Sequence, residues 1–128
     1  MILLDTDIMI DILRGYPPAV QWMQSLGDED IALPGFVLME LIQGCETKRE
    51  LTSLRKKLLP FKIYWLETDD CNRAVEIFSQ YHLSHHIEII DVMIGQLAVS
   101  LKVPLYSFNK KHYSSITNLQ IIQPYHKE

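Results

Sequence analysis

Apolar residues along this chain come in short runs broken by polar turns, and the runs follow two periods. "MILL" at residues 1–4 is continuous and ends abruptly at Asp5, as a strand buried on both faces would. Beyond it, Ile8, Ile12 and Gly15 recur at helical spacing, with Gly15 as the stop. "PPAVQWMQSLGD" repeats the pattern, with Pro at its start, Val20 and Met23 on one face and Gly27 at its end. "DIAL" predicts a second strand, after which Pro34 and Gly35 turn the chain into a third helix, "FVLMELIQ".

From Glu46 to Leu59, Leu51, Leu54 and Leu58 recur at spacings of three and four among Lys48, Arg49, Arg55, Lys56 and Lys57, an amphipathic helix. "FKIYWL" alternates and is rich in aromatic and β-branched residues, which suits a strand near a sheet edge. "TDDCNRAVEIFSQYHL" places Ala74, Phe78 and Tyr81 in helical register behind a Thr68 or Asp69 cap. "IIDVMIGQLAVSL" is apolar almost all round, as a central helix is, and "VPLYSF" and "LQII" close the chain as strands. Strands alternating with helices predict one α/β/α sandwich over residues 1–128, around a mainly parallel sheet of about five short strands.

Composition narrows the classes. A chain of 128 residues suits one domain. No run of about 18 uncharged apolar residues appears, and the N-terminus lacks the basic region and cleavable segment of a signal peptide, so a cytoplasmic protein without membrane association is expected. Cys45 and Cys71 have no C-x-x-C spacing and read as free thiols. A net charge of −4 argues against non-specific coating of nucleic acid, although local patches can still hold phosphates.

Glu40 is the position that resists a structural explanation. It stands among Leu38, Met39, Leu41 and Ile42 with no Lys or Arg within four residues. A carboxylate bound for a core must be neutral, paired or bound to a cation. Asp5 ends the first strand, Asp91 opens the apolar helix and Asn109 follows "VPLYSF"; in parallel sheets such positions converge beyond the carboxyl ends of the strands. Asp5 and Asp91 each have a plain alternative as helix-entry acids. Three carboxylates within about 5 Å repel by roughly 3 kcal/mol per pair at an effective dielectric near 20. A hard divalent cation on oxygen ligands offsets that repulsion and serves phosphodiester hydrolysis.

"LLDTDIMID", "FVLMELIQG", "IIDVMIGQLA" and "LYSFNKKHYSSI", in that order, resemble the four signature segments of PIN-domain ribonucleases, most closely toxins of the VapC type. The resemblance implies a metal-dependent endoribonuclease, held inactive by a cognate antitoxin, with Asp5, Glu40, Asp91 and Asn109 as catalytic residues. It implies Mg²⁺, with Mn²⁺ able to substitute, on Asp5 and Asp91, and on Glu40 directly or through water. Thr6 and Ser107 would orient the carboxylates through their hydroxyls, and Asp7 would reach the metal through water. Lys110 and Lys111 adjoin the site as RNA contacts, and Leu51, Leu54 and Leu58 offer a groove wall to the antitoxin. A homodimer is also implied.

The last segment departs from the family pattern. Family members usually have Thr where Ser107 stands, often an acid at the position of Asn109 or His112, and tend to have Phe where Tyr113 stands. Two other readings stay open at the level of sequence: a PIN fold serving only as a binding module, and a receiver-like phosphoacceptor domain. "HLSHH" reads as a polar helix end, since its His82, His85 and His86 match no familiar zinc spacing.

Overall fold

The computed structural model describes residues 1–127. Five strands, β1 (Ile2–Leu4), β2 (Ile31–Pro34), β3 (Lys62–Tyr64), β4 (Leu105–Tyr106) and β5 (Ile121–Ile122), form one sheet in the order β3-β2-β1-β4-β5. Every pairing is parallel. Six α-helices, α1 (Thr6–Leu13), α2 (Pro17–Ser25), α3 (Gly35–Gln43), α4 (Lys48–Leu58), α5 (Thr68–His85) and α6 (Ile89–Leu101), complete the α/β/α sandwich, with a 3₁₀ turn, η1, at Lys110–Tyr113. The order reverses between β3 and β4, so the switch point lies between β1 and β4. A receiver-like doubly wound sheet would run 2-1-3-4-5, which this one does not.

Burial follows position in the sheet. β1 is central, and Ile2, Leu3 and Leu4 are all buried, as a continuous apolar run requires. β3 is an edge, with Lys62 exposed and paired to Asp30. Leu3 and Leu4 join Ile8, Met9, Leu33, Val37, Ile94 and Leu105 in the core. Gly35 opens α3 because the Trp65 ring lies against its Cα, and a Cβ there would overlap that ring.

Two expectations shift on inspection. α5 is capped at Glu67, with no side-chain cap bond, one position before Thr68. In α4 the leucine ridge faces inward: Leu54 and Leu58 are buried in the core and only Leu51 is partly exposed. The three leucines therefore do not form an open groove wall, because the apolar stripe of a helix lying on a core is spent on that core. α4 starts from a Thr47 cap that accepts from Glu50 N, while Glu50 Oε2 accepts from Glu46 N. "HLSHH" is the end of α5, with His86 as a left-handed cap and His82 stacked on Phe78.

Candidate active site

Parallel pairing between β1 and β4 sets Leu3 beside Leu105 and Leu4 beside Tyr106, so the next residues on the two strands, Asp5 and Ser107, leave the sheet side by side at the switch point. Asp5 N–H donates to Tyr106 O at 3.0 Å, which fixes that register. Asp5 is also the N-cap of α1, the role its sequence context alone suggests. Its burial goes further than capping requires, at 4% exposure.

Asp5 is the hub of the site. Its Oδ1 accepts Thr6 N–H at 2.8 Å, and its Oδ2 accepts two hydroxyls, Ser107 Oγ at 2.7 Å and Tyr113 Oη at 2.8 Å. A carboxylate oxygen has about two lone-pair sites, so Oδ2 is filled and Oδ1 keeps one. Ser107 Oγ in turn accepts Asn109 N–H at 3.0 Å, which ties the loop after β4 to the hub. Tyr113 is buried, and burial together with the charge of Asp5 holds its hydroxyl far above the ordinary tyrosine range, so it stays a donor. Gly95 in α6 makes room for Ile116 beside it, which a Cβ there would overlap, while Tyr113 lies at ordinary contact distance.

Glu40 sits in the second turn of α3, half-buried. Its Oε1 accepts the Thr6 hydroxyl at 2.9 Å, and among the described residues no Lys or Arg pairs with it. Asp91, in the first turn of α6, has His112 Nδ1 at 3.5 Å. Burial first, then the negative charge of Asp5, push Asp91 up to about 6; His112 opposes the rise, while Glu88 and Glu40 add to it. Asp7 is likewise pushed up to about 6 by burial and by Asp5. Its two oxygens are committed to backbone, accepting Ile8 N–H at 2.8 Å and Phe108 N–H at 2.9 Å. Asp7 therefore bolts the loop after β4 onto α1.

The fold thus draws Asp5, Thr6, Asp7, Glu40, Asp91 and Ser107 into one acidic neighbourhood. Asn109 enters through its backbone N–H, with an exposed side chain, and Lys110 and Lys111 are exposed on η1 beside it. The sequence reading noted Tyr113 only as a departure from the family pattern; the structure shows its hydroxyl holding Asp5, a contact that a Phe at this position would lack. Among the described residues no three His, Cys, Asp or Glu side chains stand close enough to make a ready-made metal cage. The donor set nevertheless suits a hard cation: oxygen atoms only, an Asp91 raised by burial and by the charge of Asp5, and one exposed histidine beside Asp91.

The PIN domain model matches residues 2–116. The chain belongs to the PIN-domain family. Among PIN relatives, Ribonuclease VapC19 of Mycobacterium tuberculosis is 31% identical over 124 residues, covering 94% of this chain and 98% of that protein. Two solved structures superpose over nearly the whole fold at lower identity. A toxin–antitoxin complex from Klebsiella pneumoniae gives a TM-score of 0.80 at 24% identity, covering 99% of this chain and 100% of that one. VapBC2 from Rickettsia felis, bound to a DNA fragment from its promoter, gives 0.80 at 22%, covering 95% and 98%.

Proposed function

We propose that this PIN protein is a metal-dependent endoribonuclease, the toxin of a toxin–antitoxin pair, hydrolysing RNA phosphodiester bonds. The observation that carries the reading is the Asp5 hub: a buried carboxylate held by three donors beside Asp91 and Glu40, with no Lys or Arg in an ion pair with any of the three among the described residues. Likeness over 94% of the chain to a protein named a ribonuclease supports the same chemistry.

Asp5, through its Oδ1, and Asp91 would hold Mg²⁺ or Mn²⁺, with Glu40 acting directly or through water. Such a cation supplies charge stabilisation for the phosphodiester and lowers the pKa of a water it binds. The chain's own residues do the rest. Ser107 and Tyr113 fix the plane of the Asp5 carboxylate. Thr6 holds one oxygen of Glu40, leaving the other to accept the proton of an attacking water. Lys110 and Lys111, exposed on the adjoining turn, are placed to meet RNA phosphates. Asn109 is a neutral group at the rim. No covalent nucleophile is needed.

The antitoxin segment would lie across the edge of α3 and α4, where Ile42, Leu51 and the 80% exposed Leu59 line a shallow depression. The chain is proposed to form a homodimer, which size-exclusion with light scattering reads directly. No helix among the described residues is long and apolar enough to cross a membrane.

Asp91→Asn tests the chemistry most cleanly, because Asp91 holds no backbone in place. It is expected to abolish RNA cleavage and weaken Mn²⁺ binding while circular dichroism stays unchanged. Full cleavage by this variant, or by the unmutated protein in EDTA, would overturn the proposal.

A further inference from the structure

α4 carries five cations, Lys48, Arg49, Arg55, Lys56 and Lys57, against the single acid Glu50, in a chain whose net charge is −4. All five are exposed. Among the described residues, ion pairs engage Lys62, Arg73, His112, Lys127 and the N-terminus, and none engages α4. Arg55, Lys56 and Lys57 have a structural use, since cations in a last turn complement the helix dipole. Lys48 and Arg49 do not. They sit in the first turn, where the dipole opposes them. A solvated helix face needs no such concentration at its unfavourable end.

The surface beside these cations is continuous with the candidate active site. A depression of about 420 Å³ is lined only by Lys48, Arg49, Thr52, Ser53 and Lys56. It shares Arg49 and Ser53 with a second, which lies between α4 and Leu13 of α1. That one shares Leu13 and Leu54 with a third, and the third reaches Glu40. A chain of shallow depressions therefore runs from Glu40 and Arg14, past Leu13, Leu54 and the acid Glu50, to a stretch of cations and hydroxyls, with no aromatic ring on which a base could stack.

We propose that these depressions form the track for the RNA backbone away from the cleaved bond, with Lys48, Arg49 and Lys56 neutralising phosphates without reading sequence. The need for it comes from the site itself: a cluster of carboxylates in an acidic protein repels a polyanion, and affinity must be supplied by cations set away from the chemistry. α4 is about 16 Å long at 1.5 Å per residue, room for two or three phosphates of an extended strand. Along Lys48, Arg49, Thr52, Ser53 and Lys56, cations alternate with hydroxyls, which fits phosphate oxygens.

This assignment rests on the ribonuclease reading, and the test separates the two. Binding of a 20-nucleotide oligouridylate is measured by fluorescence anisotropy in EDTA, between 50 and 300 mM KCl, so that no cleavage intervenes. The Lys48→Gln/Arg49→Gln/Lys56→Gln protein is expected to bind at least tenfold more weakly at 100 mM. Its slope of log K against log salt should fall by about 2, at about 0.7 per phosphate contact on a single strand. Gln matches Lys and Arg in helix propensity, so the fold is kept, and a thermal melt checks this. A control lacking Lys62, Arg73 and Lys102, the same charge removed elsewhere, should bind as the unmutated protein does.

Unchanged affinity and slope in the α4 variant, equal loss in the control, or equally tight binding of oligoglutamate by the unmutated protein would each overturn the track. Cleavage with Mn²⁺ is read in parallel. A protein that cleaves RNA while the α4 variant binds normally refutes the track alone; a protein that neither binds nor cleaves refutes both readings.

Discussion

Tyr113→Phe removes one oxygen from the centre of the site and leaves the ring that packs beside Gly95. The hydroxyl donates at 2.8 Å to Asp5 Oδ2, an oxygen that is buried and accepts one other donor, Ser107 Oγ at 2.7 Å. A hydrogen bond to a charged group contributes about 1.5–3 kcal/mol. Ser107 and Thr6 still hold the carboxylate in the variant, so the lower part of that range, about 1.5–2 kcal/mol, is expected. No cavity term is added, because the ring volume is unchanged. In a chain of this size that corresponds to a melting temperature lower by roughly 5–10 °C. The assay is urea unfolding at pH 7.5 in EDTA, with Ser107→Ala and the double variant completing a cycle. The double variant should cost more than the sum of the singles, since only it leaves Oδ2 bare in a buried site. Cleavage activity is expected to persist in Tyr113→Phe, which adopts the residue common in the family pattern. A loss below about 0.5 kcal/mol, or strict additivity in the cycle, would refute the view that Tyr113 and Ser107 jointly fill one oxygen of Asp5.

Two further outcomes follow from the same geometry. Asp91 is pushed from its ordinary 3.8 up to about 6, so the folded protein binds that proton more tightly than the unfolded chain, and its share of stability is greatest below pH 4 and lost as pH rises to about 6. In EDTA, Asp91→Asn should therefore match the unmutated protein near pH 4 and become the more stable of the two above pH 6 by urea midpoint; a difference of the opposite sign would count against the raised value. Gly35→Ala forces a methyl group onto the Trp65 ring, and because that ring is half exposed and can swing outward, the lower end of overpacking costs, about 1 kcal/mol, is expected. Urea unfolding measures the cost, and a red-shifted tryptophan emission should report the displaced ring; unchanged stability and emission would show that the ring moves freely.

The sequence by itself determined the elements of this protein. Each strand and helix was legible because apolar period and breaker residues are local: "MILL" ending at Asp5, Gly15 closing α1, Pro34 and Gly35 opening α3. Glu40 was legible as an anomaly for the same reason, an acid with no nearby base. The four polar residues proposed for the site were legible only as an ordered set that resembles a family, since nothing local says which residues so far apart in the chain converge.

Tertiary structure decided what distance along the chain conceals. Tyr113 reaches Asp5 across 108 positions, and no periodicity encodes that its hydroxyl rather than its ring is the point. Asp7, which the resemblance assigns to the surroundings of the metal, fastens the loop of Phe108 through a bond spanning 101 positions. The leucines of α4 show the limit most plainly. An amphipathic stripe says that one face seeks cover, but whether the cover is the protein's own core or a partner depends on where the sheet lies. Leu54 and Leu58 went to the core, and the face left to solvent was the charged one. Side-chain period fixes which residues share a face, and only packing fixes what that face meets.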